Sequence, residues 1–377
     1  MSGRARRSAA RLAAMAWKET LHVRRDPRTL YLAIVMPVLL LLLFGFGVSM
    51  DVDHVPLAVV DHDRSAASRA LVEAFTASGE FDRVEGPRGW DVDRLFRRDR
   101  ALAALVIPAG FGRDLARGES ASAQLLLDGA DPTTANQVLA KSDAIARSET
   151  LRLARRDAPR VEPPLEVRVL TRYNPAARSA IFLVPGLAAY LLAIGAVMLT
   201  ALTVAGEWER GSMEQLFASP VGRLEIIVGK LLPYLALGLL QLLLVLVVGA
   251  TVFDVPMRGS IALVFLLGTF FLAGMLGQGL LISVAARNQL VATQAGTLSA
   301  LLPSMMLSGM IFPIENMPAP LQVISRAVPA RYLVHALRDI LLKGNGLAQV
   351  WPDLLALVAF AVGVVALATA KFRRRVA

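Results

Sequence analysis

Cysteine is absent from this chain of 377 residues, which excludes a disulfide frame, a thiolate metal site and a cysteine nucleophile. Any part folded outside a membrane must therefore stand on its own core. Histidine is scarce: His22, His54, His62 and His335 are the four present, too scattered to form a zinc site. No H-E-x-x-H or G-x-S-x-G run occurs, so the metalloprotease and hydrolase patterns are missing. A phosphate-binding loop requires G-x-x-x-x-G-K-[ST]. The nearest candidate, Gly229-Lys230, has leucine at positions 224 and 231 and fails it. No catalytic or metal-binding set emerges, and the chain is not expected to be an enzyme or to bind a cofactor itself.

What the sequence has in abundance is apolar residues, 55% of the total, with a mean hydropathy of +0.54. They lie in unbroken blocks rather than at helix or strand period. A helix needs roughly 20 apolar residues to cross a bilayer core. Six stretches qualify: 29–49, 180–205, 226–252, 260–286, 289–312 and 350–370. The expected fold class is an α-helical integral membrane protein with six transmembrane helices. No small-residue cleavage site ends the first block, so it reads as a retained anchor and not a signal peptide.

The net charge of +10 does not point to nucleic acid, because the basic residues form no stripe interleaved with aromatics. Many cluster at the ends: Arg4, Arg6, Arg7, Arg11, Lys18, Arg24, Arg25 and Arg28 before the first block, and Lys371, Arg373, Arg374 and Arg375 after the last. Such charge holds a terminus in the cytoplasm, and an even span count puts both termini there. Arg326, Arg331, Arg338 and Lys343, between the fifth and sixth spans, run against the rule. Orientation is assigned from the ends, since the first helix usually dominates it. Within residues 1–28, Ala10, Ala13, Ala14, Trp17 and Leu21 share one helical face. This predicts an amphipathic helix in the cytoplasmic interface, with Trp17 at headgroup level.

Residues 50–179 differ in kind. Short apolar runs (Val55–Val60, Ala101–Ile107, Gln124–Leu127, Leu165–Leu170) alternate with helical stretches such as Ser68–Ala77 and Thr133–Arg155. Asp-Gly and Asp-Pro turns at Asp128–Gly129 and Asp131–Pro132 punctuate them. An α/β extracytoplasmic insert domain is expected between the first two spans. Spans two to six then occupy 180–371, with a cytoplasmic loop at 206–223, an external re-entrant and amphipathic segment at 308–345, and a cytoplasmic tail at 372–377.

No span carries an acidic residue or histidine at its middle, whereas ion-coupled carriers place such groups at mid-membrane. Gln241, Gln278 and Gln294 are the main polar residues at depth, suited to interhelical hydrogen bonds. Lys230, near the cytoplasmic end of the third span, is expected to snorkel to the interface. Energy for any transport would enter from elsewhere.

Two segments carry specific information. Between the second and third spans the chain reads Glu207, Trp208, Glu209, Arg210, Gly211, Ser212, Met213, Glu214, Gln215, Leu216, Phe217, Ala218, Ser219, Pro220. It is short, charged and amphipathic, a plausible length for either a connector or a docking helix for a soluble partner. Together with Gly229–Tyr234, it resembles the cytoplasmic loop of type-2 ABC transporter permeases. The resemblance is closest to exporter permeases with a large periplasmic insert. The run Leu302–Pro318, continuing through Pro329–Tyr332 to Leu337–Gly344, is similar to the same family. So are Lys18-Glu19, Arg25-Asp26-Pro27, Pro37 and Val59–Asp63, so the likeness covers nearly the whole chain. Family members often carry a second acid where Arg210 or Gly211 stands, and threonine in place of Ser212.

The resemblance implies a permease subunit of an ATP-binding cassette exporter in the bacterial inner membrane. ATP and Mg would bind a separate cytoplasmic ATPase, and a second permease half, identical or related, would complete the unit. A periplasmic adaptor is a further partner suggested by the insert. Glu207, Glu209, Arg210, Gly211, Ser212, Met213, Glu214, Gln215, Leu216, Phe217 and Pro220 would form the ATPase-coupling element, with Met213, Leu216 and Phe217 as anchors. Pro303, Met305, Met306, Ser308, Gly309, Met310 and Pro313 would line the translocation path, closed outside by a re-entrant turn. Substrates implied by the family are hydrophobic drugs or other amphiphiles. Alternatives are a lipid or polysaccharide exporter and, from another class, a membrane-anchored sensor, although no cytoplasmic segment is long enough for an output domain.

Overall fold

The computed structural model describes residues 3–47, 54–84, 92–97, 100–129, 132–157, 178–211, 221–286 and 288–371. They fall into two compact units, Met1–Val48 with Thr171–Ala377, and Ser49–Leu170. The chain begins with α1 (Gly3–Arg25) and α2 (Pro27–Leu30), which passes through a π-turn (Tyr31–Val35) into α3 (Met36–Gly47). Pro37 has no N–H to offer the carbonyl four residues back. The turn before it widens, and the Met36 N–H donates to Tyr31 O instead. The helical run of the first apolar block thus survives its proline.

The unit Ser49–Leu170 contains β1 (Val55–Asp61), α4 (Ala66–Thr76), β2 (Phe81–Val84), α5 (Val92–Phe96), β3 (Ala103–Ile107), α6 (Phe111–Ala116), β4 (Gln124–Leu127) and α7 (Pro132–Asp157). The sheet order is β2-β1-β3-β4. β1 runs parallel to both neighbours, and β4 closes one edge antiparallel to β3. Parallel neighbours need crossovers, which α4 and α5 supply. One face packs Val72, Phe75, Phe111 and Val138 over Leu57 and Leu105, and a smaller cluster joins Leu95 to Ala58 and Ala104. β2 has no counterpart in the sequence expectations, because Asp82 and Arg83 are exposed and leave no visible alternation. The expected strand Leu165–Leu170 lies outside the described residues.

The motif ending in Asp63 does local structural work. The Asp63 carboxylate accepts the Gly110 and Gly112 N–H groups at 2.8 and 2.9 Å, stapling the β1 exit to the start of α6. A hydrogen bond from the Ser65 hydroxyl, these amides and Arg113 hold its carboxyl below the usual range.

The chain continues with α8 (Ser179–Glu209), α9 (Arg223–Val252), α10 (Ile261–Ala286), α11 (Gln289–Met306), α12 (Ala319–Ser325), α13 (Pro329–Arg338) and α14 (Leu347–Lys371). Among the described residues, α8, α9, α10 and α14 are each long and apolar enough to cross a membrane, and Tyr31–Gly47 is a shorter apolar helix. The fifth apolar block stops being helical at Met306, short of the expected 312. Gly309 adopts φ 81°, in the left-handed region, and Pro313 follows, so the helix cannot continue.

α8 is the hub of its unit, buried over most of its length. Its contact with α10 is close enough to exclude a methyl group. A Cβ on Gly279 would lie 2.1 Å from Thr200 Oγ1 and 2.4 Å from Val197 O. Thr200 Oγ1 uses the approach to donate to Leu276 O at 3.0 Å, and small residues favour such contacts between membrane helices. Gln241 donates to Leu191 O at 3.3 Å and Gln278 to Ser299 Oγ at 3.1 Å, while Gln294 is exposed. Gly279→Ala is expected to cost about 2 kcal/mol through overpacking. Gly363→Ala, where nothing lies within 4 Å, should be neutral or stabilising. Comparing denaturant midpoints of the two variants in detergent checks this.

Candidate functional site

The C-terminal end of α8 gathers charges from three helices. α1 turns Met15, Glu19 and Val23, spaced four apart, toward the protein, and leaves Ala10, Ala13, Ala14 and Trp17 exposed. Glycine at 229 admits the contact with α9, since a Cβ there would meet Met15 Cβ at 2.8 Å. Lys230 is placed one residue on. Its ammonium donates to Glu19 Oε1 at 3.0 Å and to Glu207 Oε2. Lys18 stands 3.7 Å from both carboxylates and is itself exposed.

Lys230 therefore does not snorkel: only 3% of it is exposed, and Glu19 is 2% exposed. A buried ammonium must be paired, and two carboxylates stand closer than any route to water. Two lysines and two glutamates of the described residues meet here. Glu207 sits in the last turn of α8, where the helix dipole disfavours a carboxylate and Lys230 offsets it.

The other described residues of the expected coupling element, Glu209, Arg210 and Gly211, are exposed and lie at the end of the helix. Glu209 Oε1 accepts the Gln289 N–H at 2.8 Å, satisfying a free donor at the start of α11. Arg210 is the C-cap of α8, and Gly211, with φ 70°, turns the chain away. Ser212, Met213, Glu214, Gln215, Leu216, Phe217 and Pro220 lie outside the described residues. Glu209 is exposed at the end of α8, with its carboxylate hydrogen-bonded within the chain.

A second polar centre occupies the opposite end of α8. The Arg338 guanidinium, from the end of α13, donates to Gly309 O at 2.8 Å, Met310 O at 3.1 Å and Phe182 O at 3.2 Å. It also lies 3.7 Å above the Phe182 ring. Burial pulls its pKa down to about 10, so it remains a cation at neutral pH. Two of these carbonyls belong to the break after α11, where Ser308, Gly309 and Met310 are buried, and the third to the first turn of α8. Met310 packs on Gly186 of α8, where a Cβ would meet its Cγ at 2.5 Å. Met306 and Pro313 are exposed, and Pro303 and Met305 are intermediate. The expected path residues are thus split, with three locked into the break and the rest on or near the surface.

Phe182 and Glu207 are separated by 25 residues of one helix, or about 37 Å at 1.5 Å per residue. That exceeds the roughly 30 Å of a bilayer core. Neither charge centre is legible in the sequence as a unit. The available signal was an ionisable residue inside an apolar block, Lys230, which by default needs a partner. Among the described residues, no group of histidines and acids is placed to hold a metal ion.

The sequence model of a family described as "ABC-2 family transporter protein" matches residues 28–370. The chain is 35% identical over 366 residues to "Probable multidrug ABC transporter permease YbhS" of Escherichia coli strain K12, covering 97% of each. It is 30% identical over 369 residues to "Probable multidrug ABC transporter permease YbhR" of the same strain, covering 97% of this chain and 99% of the relative. "Inner membrane transport permease YhhJ", also from that strain, is 28% identical over 354 residues, covering 90% of this chain and 93% of the relative.

Proposed function

The chain belongs to the ABC-2 family of transporter proteins and is a permease subunit of an ABC exporter; from that premise we propose that it moves hydrophobic or amphiphilic drugs outward across a bacterial inner membrane. ATP is hydrolysed on a separate cytoplasmic ATPase, and a second permease half completes the pathway. Six spans cross the bilayer: α8, α9, α10 and α14, the run from α2 to α3, and the α11 segment. Both termini are cytoplasmic, the unit 50–179 is external, and an adaptor docks there.

The observation that carries this mechanism is the Lys230 cluster at the end of α8, immediately before the loop 206–223. A loop pushed by the closing ATPase would deliver its motion to α8. Because Lys230 ties Glu207 of α8 to Glu19 of α1, the three helices respond as one body. Breaking that body would cost the penalty of a buried unpaired charge. At the other end, Arg338 holds the break at Gly309–Met310 against α8, so a shift of α8 reaches the external closure. Met213, Leu216 and Phe217 anchor the ATPase, while Glu207 and Glu209 brace the loop from within.

The test is co-expression with the ATPase encoded nearest to this chain. Leu216→Asp with Phe217→Asp is expected to lower the co-purified ATPase at least about tenfold, since apolar anchors dominate such interfaces. Size-exclusion behaviour should be unchanged. Undiminished co-purification would remove the loop from the coupling role. Drug accumulation in cells lacking other pumps then reports the substrate class.

A further inference from the structure

The unit Ser49–Leu170 has a feature that permease function does not require. A cavity of about 550 Å³ opens between α7 and the sheet, within the size range of small-molecule sites. Phe75 of α4, Leu105 of β3, Phe111 of α6 and Leu125 of β4 form its apolar wall. Leu139, 53% exposed, stands on the α7 side.

Two polar side chains of α7 face this apolar space. Ser142 is 3% exposed, and its hydroxyl has no hydrogen-bond partner. A buried hydroxyl left unmatched costs about 1–3 kcal/mol. Glu149 is two helical turns further along the same face and only 7% exposed. Among the described residues its ion-pair partner is Arg152, which meets it at 3.3 Å and is 70% exposed, a weak contact. Among the described residues the ionisable side chains lining the cavity are carboxylates, Glu119 and Asp143 being the others, and Asp143 pairs with Arg147 at 2.8 Å.

We propose that this cavity is a binding site for a hydrophobic organic cation, its apolar body against Phe75 and Leu105 and its charge toward Glu149. The combination selects chemistry. The apolar wall rejects a small hydrated ion, the carboxylates reject an anion, and the volume suits a drug-sized molecule. The site lies wholly within one unit. It stands whether or not the loop 206–223 couples to an ATPase.

The test uses the full chain in nanodiscs and the probe tetraphenylphosphonium, measured by equilibrium dialysis against empty nanodiscs. Tetraphenylborate is the control of matched shape and opposite charge. Glu149→Gln is expected to raise the Kd for the cation about tenfold, the equivalent of ~1.4 kcal/mol. Ala146→Trp, at an exposed position on the lining, should fill the cavity and abolish the same component of binding. Neither variant should alter tetraphenylborate binding. The proposal is overturned if both variants bind the cation as the unaltered chain does, or if Ala146→Trp lowers borate and phosphonium binding equally. Should Glu149→Gln fail to fold, Ala146→Trp decides alone.

Discussion

Replacing Lys230 with methionine is expected to destabilise the protein by about 3–5 kcal/mol, the range for removing one partner from a buried ion pair. The methionine fills much of the same space, so the loss comes from charge. Glu19 and Glu207 would remain close together, with the exposed Lys18 at 3.7 Å from each. Unfolding titrations in mixed micelles measure the loss. The compensated variant, Lys230→Met with Glu19→Gln and Glu207→Gln, should recover more than half of it, because neutral amides are far cheaper to bury than carboxylates. Transport should not recover with stability if the cluster transmits motion from the loop. Full recovery of both would reduce the cluster to a packing element. No recovery of stability would show that the charges were never the source of the loss.

The second large effect is expected at Arg338. Arg338→Met strips a charged donor from Phe182, Gly309 and Met310 carbonyls at once. Hydrogen bonds to a charged group are worth about 1.5–3 kcal/mol each and do not add fully, so a loss of about 3 kcal/mol is expected. Lysine should rescue little, since an ammonium cannot fan across three carbonyls on two segments and stack on Phe182 as well. The absence of native cysteine supplies a clean readout. A single cysteine placed at Ser308, which is 2% exposed, should react slowly with a polar thiol reagent in the parent. With Arg338→Met, local opening should speed labelling about a hundredfold, following the change in opening equilibrium. Equal rates would mean that Arg338 does not hold the break closed.

The two centres show where sequence patterns stop being informative. Hydropathy marks α8, α9, α10 and α14 because each span satisfies its backbone within itself and carries apolar side chains along its whole length. That property is local, and a window of one helix length detects it. The break after α11 was also visible, through Gly309 and Pro313. Its position at 306 rather than 312 was not, because chain direction there depends on a φ that only the folded backbone reveals. Pairing between charges is not local at all. Lys230 meets Glu19 across 211 residues, and Arg338 meets Phe182 across 156.

The sequence by itself determined that this is a multi-span helical membrane protein without a phosphate loop of its own, and its motifs pointed to the family. Long apolar blocks, the failed phosphate-loop pattern and ordered motifs suffice for that, since each is a property of contiguous residues. Only the tertiary structure decided what the isolated charges do. Lys230 turns inward to Glu19 and Glu207, Glu209 caps α11, and Arg338 clamps three carbonyls. The physical reason is that a charge beside an apolar block can reach either water or a buried partner. Which one it takes depends on how closely distant helices approach, as glycine 229 allows α1 to do.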